Sequence, residues 1–154
     1  IKLFKGMKNL EYITGDLISP WADVKMDVHD IPMDDNTFDV VICNHVLEHV
    51  DDSHKVMTEF YRVMKPGGWG IFQVPIDTNN PITEEDKSVT NPIERERLYW
   101  QDDHLRLFGL DYGKKLAAAG FKVTESDFIN ELSPELVERY ALPKGEIVYF
   151  CEKA

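Results

Sequence analysis

Between residues 38 and 74 the chain spells out a strand, a helix and a second strand, and few folds accommodate that order. Phe38-Asp39-Val40-Val41-Ile42-Cys43 is a nearly continuous apolar run, the pattern of a strand buried on both faces of a parallel sheet. Asp51, Asp52 and Ser53 offer N-caps for a helix. Val56, Met57, Phe60, Val63 and Met64 then recur at helical spacing along one stripe. Pro66-Gly67-Gly68 should stop that helix, and residues 69–74, closed by Pro75, read as the next strand. A long helical crossover of this kind joins parallel strands.

The flanks extend the same layout. Residues 11–14 read as a short strand running into Gly15-Asp16, and residues 22–26 as another ending at Asp27. Proline, aspartates and asparagine between 32 and 37 supply a turn. Residues 76–108 differ in character: charged, interrupted by Pro81 and Pro92, and weakly periodic apart from a short helix near 93–99. An insertion of that length suits a lid or binding loop. A helix over 109–119 ends at Gly120, a strand covers 121–128, and Ser133-Pro134 opens a short helix. Leu142-Pro143-Lys144-Gly145 turns the chain into a last strand over 146–152, expected to pair antiparallel with 121–128. The expected fold is α/β, a Rossmann-like mostly parallel sheet with helices on both faces and an antiparallel last strand. One domain covers residues 1–154, with 76–108 inserted.

Charge narrows the partners. With 28 acidic against 17 basic side chains the net charge is −11, a field that repels phosphate backbones, so no nucleic-acid partner is expected. No apolar run approaches the roughly 20 residues of a membrane span, and no secretory leader opens the chain. Cys43 and Cys151 fall inside strand-like runs and read as buried free thiols, which suits a reducing, cytoplasmic home.

Polar groups stand at the ends of three successive strands: Asp16, Asp27 and Asn44-His45. Ligands of open α/β sheets bind outside those ends. One carboxylate there can accept both hydroxyls of a ribose, and a second can accept from an exocyclic amine. Aspartate is also common in turns after strands, which needs no ligand.

Asp27-Val28-His29-Asp30-Ile31-Pro32, Asn36-Thr37-Phe38-Asp39-Val40-Val41, Asn44-His45-Val46-Leu47-Glu48-His49-Val50 and Arg62-Val63-Met64-Lys65-Pro66-Gly67-Gly68 succeed one another collinearly. In this order they resemble the class I S-adenosylmethionine-dependent methyltransferase family. The resemblance implies S-adenosylmethionine as cofactor and a small-molecule methyl acceptor as partner. It also implies that Asp16 binds the cofactor ribose, with Leu17 beside the adenine. Asp27 would face the adenine amine, the backbone of Val28 a ring nitrogen, and Asn44 and His45 the methionine portion. Phe38-Asp39 and Lys65-Pro66-Gly67-Gly68 are structural in that family. No catalytic residue is implied, because the sulfonium is already activated and catalysis rests on in-line alignment.

The family places a first strand and a glycine-rich turn before the strand that carries Asp16. Here only residues 1–10 precede it, with Gly6 their one glycine. That turn brings backbone N–H groups close to the cofactor's carboxylate. Gly67-Gly68-x-Gly70 cannot replace it, since it comes after a helix and opens a strand. The expectation is therefore a chain incomplete at its N-terminus, with weak cofactor binding and low or no activity. An unpaired edge on the 38–43 strand would then offer a route to homo-oligomers.

Other readings compete. His45-Val46-Leu47-Glu48-His49 fits the H-x-x-E-H zinc-peptidase pattern, but the two histidines should lie on a strand-to-helix turn rather than one helical face, so no metal is expected. His29-Asp30 reads as a turn. Tyr99, Trp100 and His104 either cover a substrate or anchor the insertion, and His104 is a conceivable general base. Another Rossmann-type nucleotide-binding enzyme would need a glycine fingerprint and a Tyr-x-x-x-Lys pair. A non-enzymatic self-associating domain would need only the open edge.

Overall fold

A computed structural model describes residues 2–143 and 145–154, with the backbone alone for Lys2. Ile1 and Lys144, the latter within the expected 142–145 turn, lie outside the described residues. After a single-turn helix α1 (Lys2–Lys5), strands β1 (Gly15–Asp16) and β2 (Val24–Lys25) pair parallel in a small sheet of their own. The main sheet contains β3 (Phe38–Asn44), β4 (Met64–Gln73), β5 (Lys122–Ser126) and β6 (Val148–Glu152) in the order β3-β4-β6-β5. β3 and β4 are parallel, and β6 is antiparallel to both β4 and β5. Three strands therefore point one way and the last one is wedged between two of them, the direction pattern expected from the sequence. The expected pairing of 121–128 with 146–152 is present as five partners from Lys122↔Glu152 to Ser126↔Val148.

Helix α2 (Ser53–Val63) makes the crossover from β3 to β4. Asp52 is its N-cap, accepting from Lys55 N at 2.9 Å, and its stripe Val56, Met57, Phe60 and Val63 is buried. α4 (Tyr112–Ala118) lies beside it, and both cover the sheet face carrying Cys43, Phe72, Tyr149 and Cys151. Phe60 stacks on Phe72 with centroids 5.1 Å apart, and the Tyr112 hydroxyl donates to the Phe72 carbonyl at 3.2 Å. Helical cover was expected on both faces. On this one α2 and α4 supply it, whereas on the other Trp69 stacks on Phe150 and Ile42 is 49% exposed. The segment before β3 runs as turns held by the Arg62 guanidinium, which donates to the carbonyls of Ile31 and Met33, and so supplies no helix there.

Pro66-Gly67-Gly68 does not end α2. The helix stops at Val63, β4 begins at Met64, and the three residues form a bulge where the register passes from Phe38↔Met64 to Val40↔Trp69. Gly67 sits at φ 77°, and a Cβ on Gly68 would fall 2.9 Å from the carbonyl oxygens of Asp39 and Lys65. Glycine fits both needs.

Residues 76–108 hold α3 (Pro92–Tyr99) and a small cluster of Val89, Tyr99 and Leu107. The segment is fastened at its base by a parallel bridge Ile76↔Phe108 and an antiparallel one Glu84↔Leu107. A 3₁₀ turn (Phe128–Glu131) and α5 (Pro134–Arg139) connect β5 to β6. Among the described residues no helix is long and apolar enough to cross a membrane.

Candidate functional site

Strand polarity brings Asp16 and Asp27 together. β1 and β2 pair in register Asp16↔Lys25, and Met26 N donates to the Asp16 carbonyl at 3.0 Å, so both carboxylates stand at the C-terminal ends of adjacent parallel strands. Asp16 is exposed, and its Oδ1 accepts from Ser19 N at 2.7 Å and Ile18 N at 2.8 Å. Those two N–H groups, Ser19 first, hold its carboxyl below the usual carboxylate range. Its Oδ2 takes no hydrogen bond among the described residues, which leaves a fixed, ionised acceptor facing solvent. Leu17 comes next, 57% exposed, an apolar surface beside that carboxylate.

Asp27 Oδ1 accepts from His29 N at 2.9 Å and from the His29 ring at 2.7 Å, and these contacts lower its carboxyl too. His29 Nε2 in turn accepts from Asp52 N at 3.3 Å. An acceptor role at Nε2 puts the proton on Nδ1, so the ring is a fixed strut between the end of β2 and the start of α2. His29-Asp30 is thus a turn, as its sequence suggested. Val28 is half-buried against the main core, which keeps this stretch registered to the sheet.

Asn44 ends β3 with its side chain exposed, on the outer strand of the main sheet. His45 is next at φ 55°, its N–H donating to Gln73 O at 2.9 Å. Its ring is 65% exposed and reaches back to Glu48 Oε1 at 3.2 Å. Residues 45–52 form a turn between β3 and α2, so the two histidines of the H-x-x-E-H pattern do lie on a strand-to-helix turn. The candidate residues thus form two groups, Asp16 to Val28 on the small sheet and Asn44-His45 on the large one, with no strand pairing between the sheets among the described residues.

Of the residues singled out in the insertion, Tyr99 and His104 are buried and only Trp100, 55% exposed, is free to meet a ligand. The Tyr99 hydroxyl accepts from Asp86 N at 3.0 Å, and His104 Nδ1 lies 2.7 Å from the Tyr99 carbonyl. These two are anchors, and burial removes His104 as an open general base. Arg106 is the anchor that sequence reasoning missed. It is 1% exposed, and its guanidinium donates to the carbonyls of Leu47 and Val50 at 2.6 Å, tying the insertion to the turn after β3.

Residues 8–72 match the family described as "Methyltransferase domain". A ubiquinone/menaquinone biosynthesis C-methyltransferase of Desulfotalea psychrophila is 48% identical over 42 residues, which is 27% of this chain and 17% of that protein. The matched stretch is therefore less than a fifth of that relative's length. Among solved structures, a candidate methyltransferase from Bacillus halodurans superposes with a TM-score of 0.52 at 22% identity, over 90% of this chain and 76% of that one. The 1,6-didemethyltoxoflavin-N1-methyltransferase of Burkholderia thailandensis, solved with bound 1,6-didemethyltoxoflavin and S-adenosylhomocysteine, gives 0.58 at 15% identity, over 91% and 60%. At those identities the superpositions speak for the fold.

Proposed function

We propose that this chain, whose residues 8–72 match the methyltransferase-domain family, is of the class I S-adenosylmethionine-dependent kind, carries the nucleoside-facing part of a cofactor site and serves methyl transfer to a small-molecule acceptor. The observation behind this is the pair Asp16 and Asp27. Both are ionised acceptors beyond the ends of adjacent parallel strands, inside the stretch that matches the family. Both keep Oδ2 free among the described residues, as acceptors for a ribose diol and an adenine amine must. Leu17 offers the ring an apolar surface, the Val28 backbone a partner for a ring nitrogen, and Asn44 and His45 polar groups for the methionine portion. The cofactor supplies an activated methyl on sulfur; what the chain's residues do is hold the nucleoside and align it.

The relative from Desulfotalea, by its name, methylates carbon in quinone biosynthesis. We propose the same acceptor class here, an aromatic ring with an electron-rich carbon. Such an acceptor suits an apolar cover more than a charged one, and Trp100 is the exposed aromatic of the insertion.

Gly6 is the one glycine ahead of β1, so the carboxylate-binding turn of the family has no counterpart in residues 1–10, and the chain as it stands should bind cofactor weakly. NMR titration with S-adenosylhomocysteine reads weak binding residue by residue. Amide shifts should move at residues 16–19 and 27–29. Asp16→Ala should weaken binding roughly 10- to 150-fold, the loss of one hydrogen-bonded charge worth about 1.5–3 kcal/mol. Asp39→Ala, at an exposed carboxylate on β3, should leave it unchanged. Shifts confined elsewhere, or an unaltered affinity in Asp16→Ala, would put the nucleoside in another place.

A further inference from the structure

Glu48 is 1% exposed, and its Oε2 has no hydrogen-bond partner among the described residues. A carboxylate oxygen left unpaired in an interior costs free energy and calls for an explanation. Arg106, also buried, does not provide one. Its N–H groups go to Glu85 and to the carbonyls of Leu47, Val50 and Asp51. Oε1 of Glu48 faces the His45 ring, leaving Oε2 to point elsewhere.

His49 and His104 gather around this carboxylate. One ligand atom from each of Glu48, His49 and His104 lies within 4.8 Å of the other two. The two imidazoles meet edge to face, centroids 4.7 Å apart. Each is oriented from behind by an oxygen: His104 Nδ1 lies 2.7 Å from the Tyr99 carbonyl, and His49 Nδ1 3.3 Å from Asp103 Oδ2. A carbonyl only accepts, so Nδ1 of His104 carries the proton and Nε2 keeps its lone pair. The Asp103 carboxylate favours the same tautomer in His49. Histidines that bind metal are held in this way, one nitrogen donating to an oxygen while the other faces the ion.

We infer that Glu48, His49 and His104 form a binding site for a divalent transition-metal ion, with zinc the best match to the donor set. Two imidazole nitrogens and one carboxylate oxygen suit zinc and its neighbours, whereas magnesium and calcium favour all-oxygen shells. Zinc bonds of about 2.0–2.2 Å would draw the three atoms closer by small side-chain rotations. An ion there would satisfy Glu48 Oε2. It would also join the insertion, through His104, to the turn after β3. The fourth position would open on the side of His49, whose side chain is 30% exposed. Zinc would bind there whether or not the chain transfers a methyl group.

The test is zinc titration by calorimetry of the chelator-stripped chain, with thermal unfolding alongside. One zinc per chain should bind and raise the unfolding temperature, and magnesium in its place should do neither. Glu48→Gln and His104→Gln should each weaken zinc by at least about 100-fold, and Asp103→Asn, behind a ligand, by about 10-fold. His54→Gln, at an exposed histidine on α2, should bind as the parent does. Should the two buried variants misfold by circular dichroism, His49→Gln at the half-exposed ligand decides the matter with the same expected loss. The inference is overturned if the parent chain takes up no zinc, if magnesium binds equally well, or if folded ligand variants retain the parent affinity.

Discussion

Arg106 and Glu85 meet in a two-point pair, Nε to Oε2 at 3.2 Å and Nη2 to Oε1 at 3.0 Å, with the arginine 1% exposed and the glutamate 31%. The same guanidinium closes the turn after β3 from inside. Truncating it strands a partly buried carboxylate and two short-range carbonyl acceptors at once. Arg106→Ala should therefore destabilise the chain by about 3–5 kcal/mol, the usual cost of breaking a buried pair from one side. Urea unfolding monitored by circular dichroism measures it. A loss under about 1 kcal/mol would mean that water replaces the guanidinium without penalty.

Glu59 predicts a pH dependence. Its carboxyl lies below its ordinary value of 4.5, first through the hydrogen bonds from Arg62 and, against the opposing cost of burial, also through Ile31 N. A depressed folded-state value stabilises the fold above the unfolded value, and that stability is lost as pH falls from about 4.5 through the lower folded value. At pH 7 Glu59→Gln should cost about 1–2 kcal/mol, discounted for the partial exposure of Arg62. The gap between parent and variant should shrink steadily below pH 4.5 in urea melts. A gap independent of pH would assign the loss to packing.

Cys43 and Cys151 should resist thiol reagents in the folded chain. Burial pushes both thiols up to about 12, with the Glu48 charge adding to the effect at Cys43. At pH 8 that leaves a thiolate fraction of roughly 10⁻⁴, and the thiolate is the reactive species. Titration with a chromogenic disulfide should report no rapidly reacting thiol in buffer and both in guanidinium. Prompt modification of the native chain would show that one strand opens readily.

Elements whose signals were local could be read from the sequence. The run at 38–43 and the stripe at 56–64 carry their strand and helix in nearby residues, and β3 and α2 stand where they were expected, whereas β4 begins five residues early, at Met64. The last strand, expected over 146–152, likewise stands at Val148–Glu152. Pro66-Gly67-Gly68 was misread because proline and glycine punctuate helices and strands alike. Pairing with Phe38 and the Gly67 N–H bond to Lys153 O, both remote in sequence, decide that it is a bulge. Asp16 and Asp27 were legible as strand ends. The H-x-x-E-H spacing drew the eye to His45 with His49, whereas the chain sets Glu48 and His49 against His104 from the insertion. No local pattern joins those residues, and neither did any reveal Arg106 as the insertion's anchor.

The bridges Ile76↔Phe108 and Glu84↔Leu107 give the insertion a closed neck, and Leu105 and Arg106 just past it tie it to the turn after β3. Doubling the chain length beyond such a neck adds only about 0.6 kcal/mol of closure entropy. The stretch between Glu85 and His104 is thus a cassette on a fixed frame: related chains could lengthen it or prune it, so long as those anchors stay, while inheriting the strands beneath unaltered.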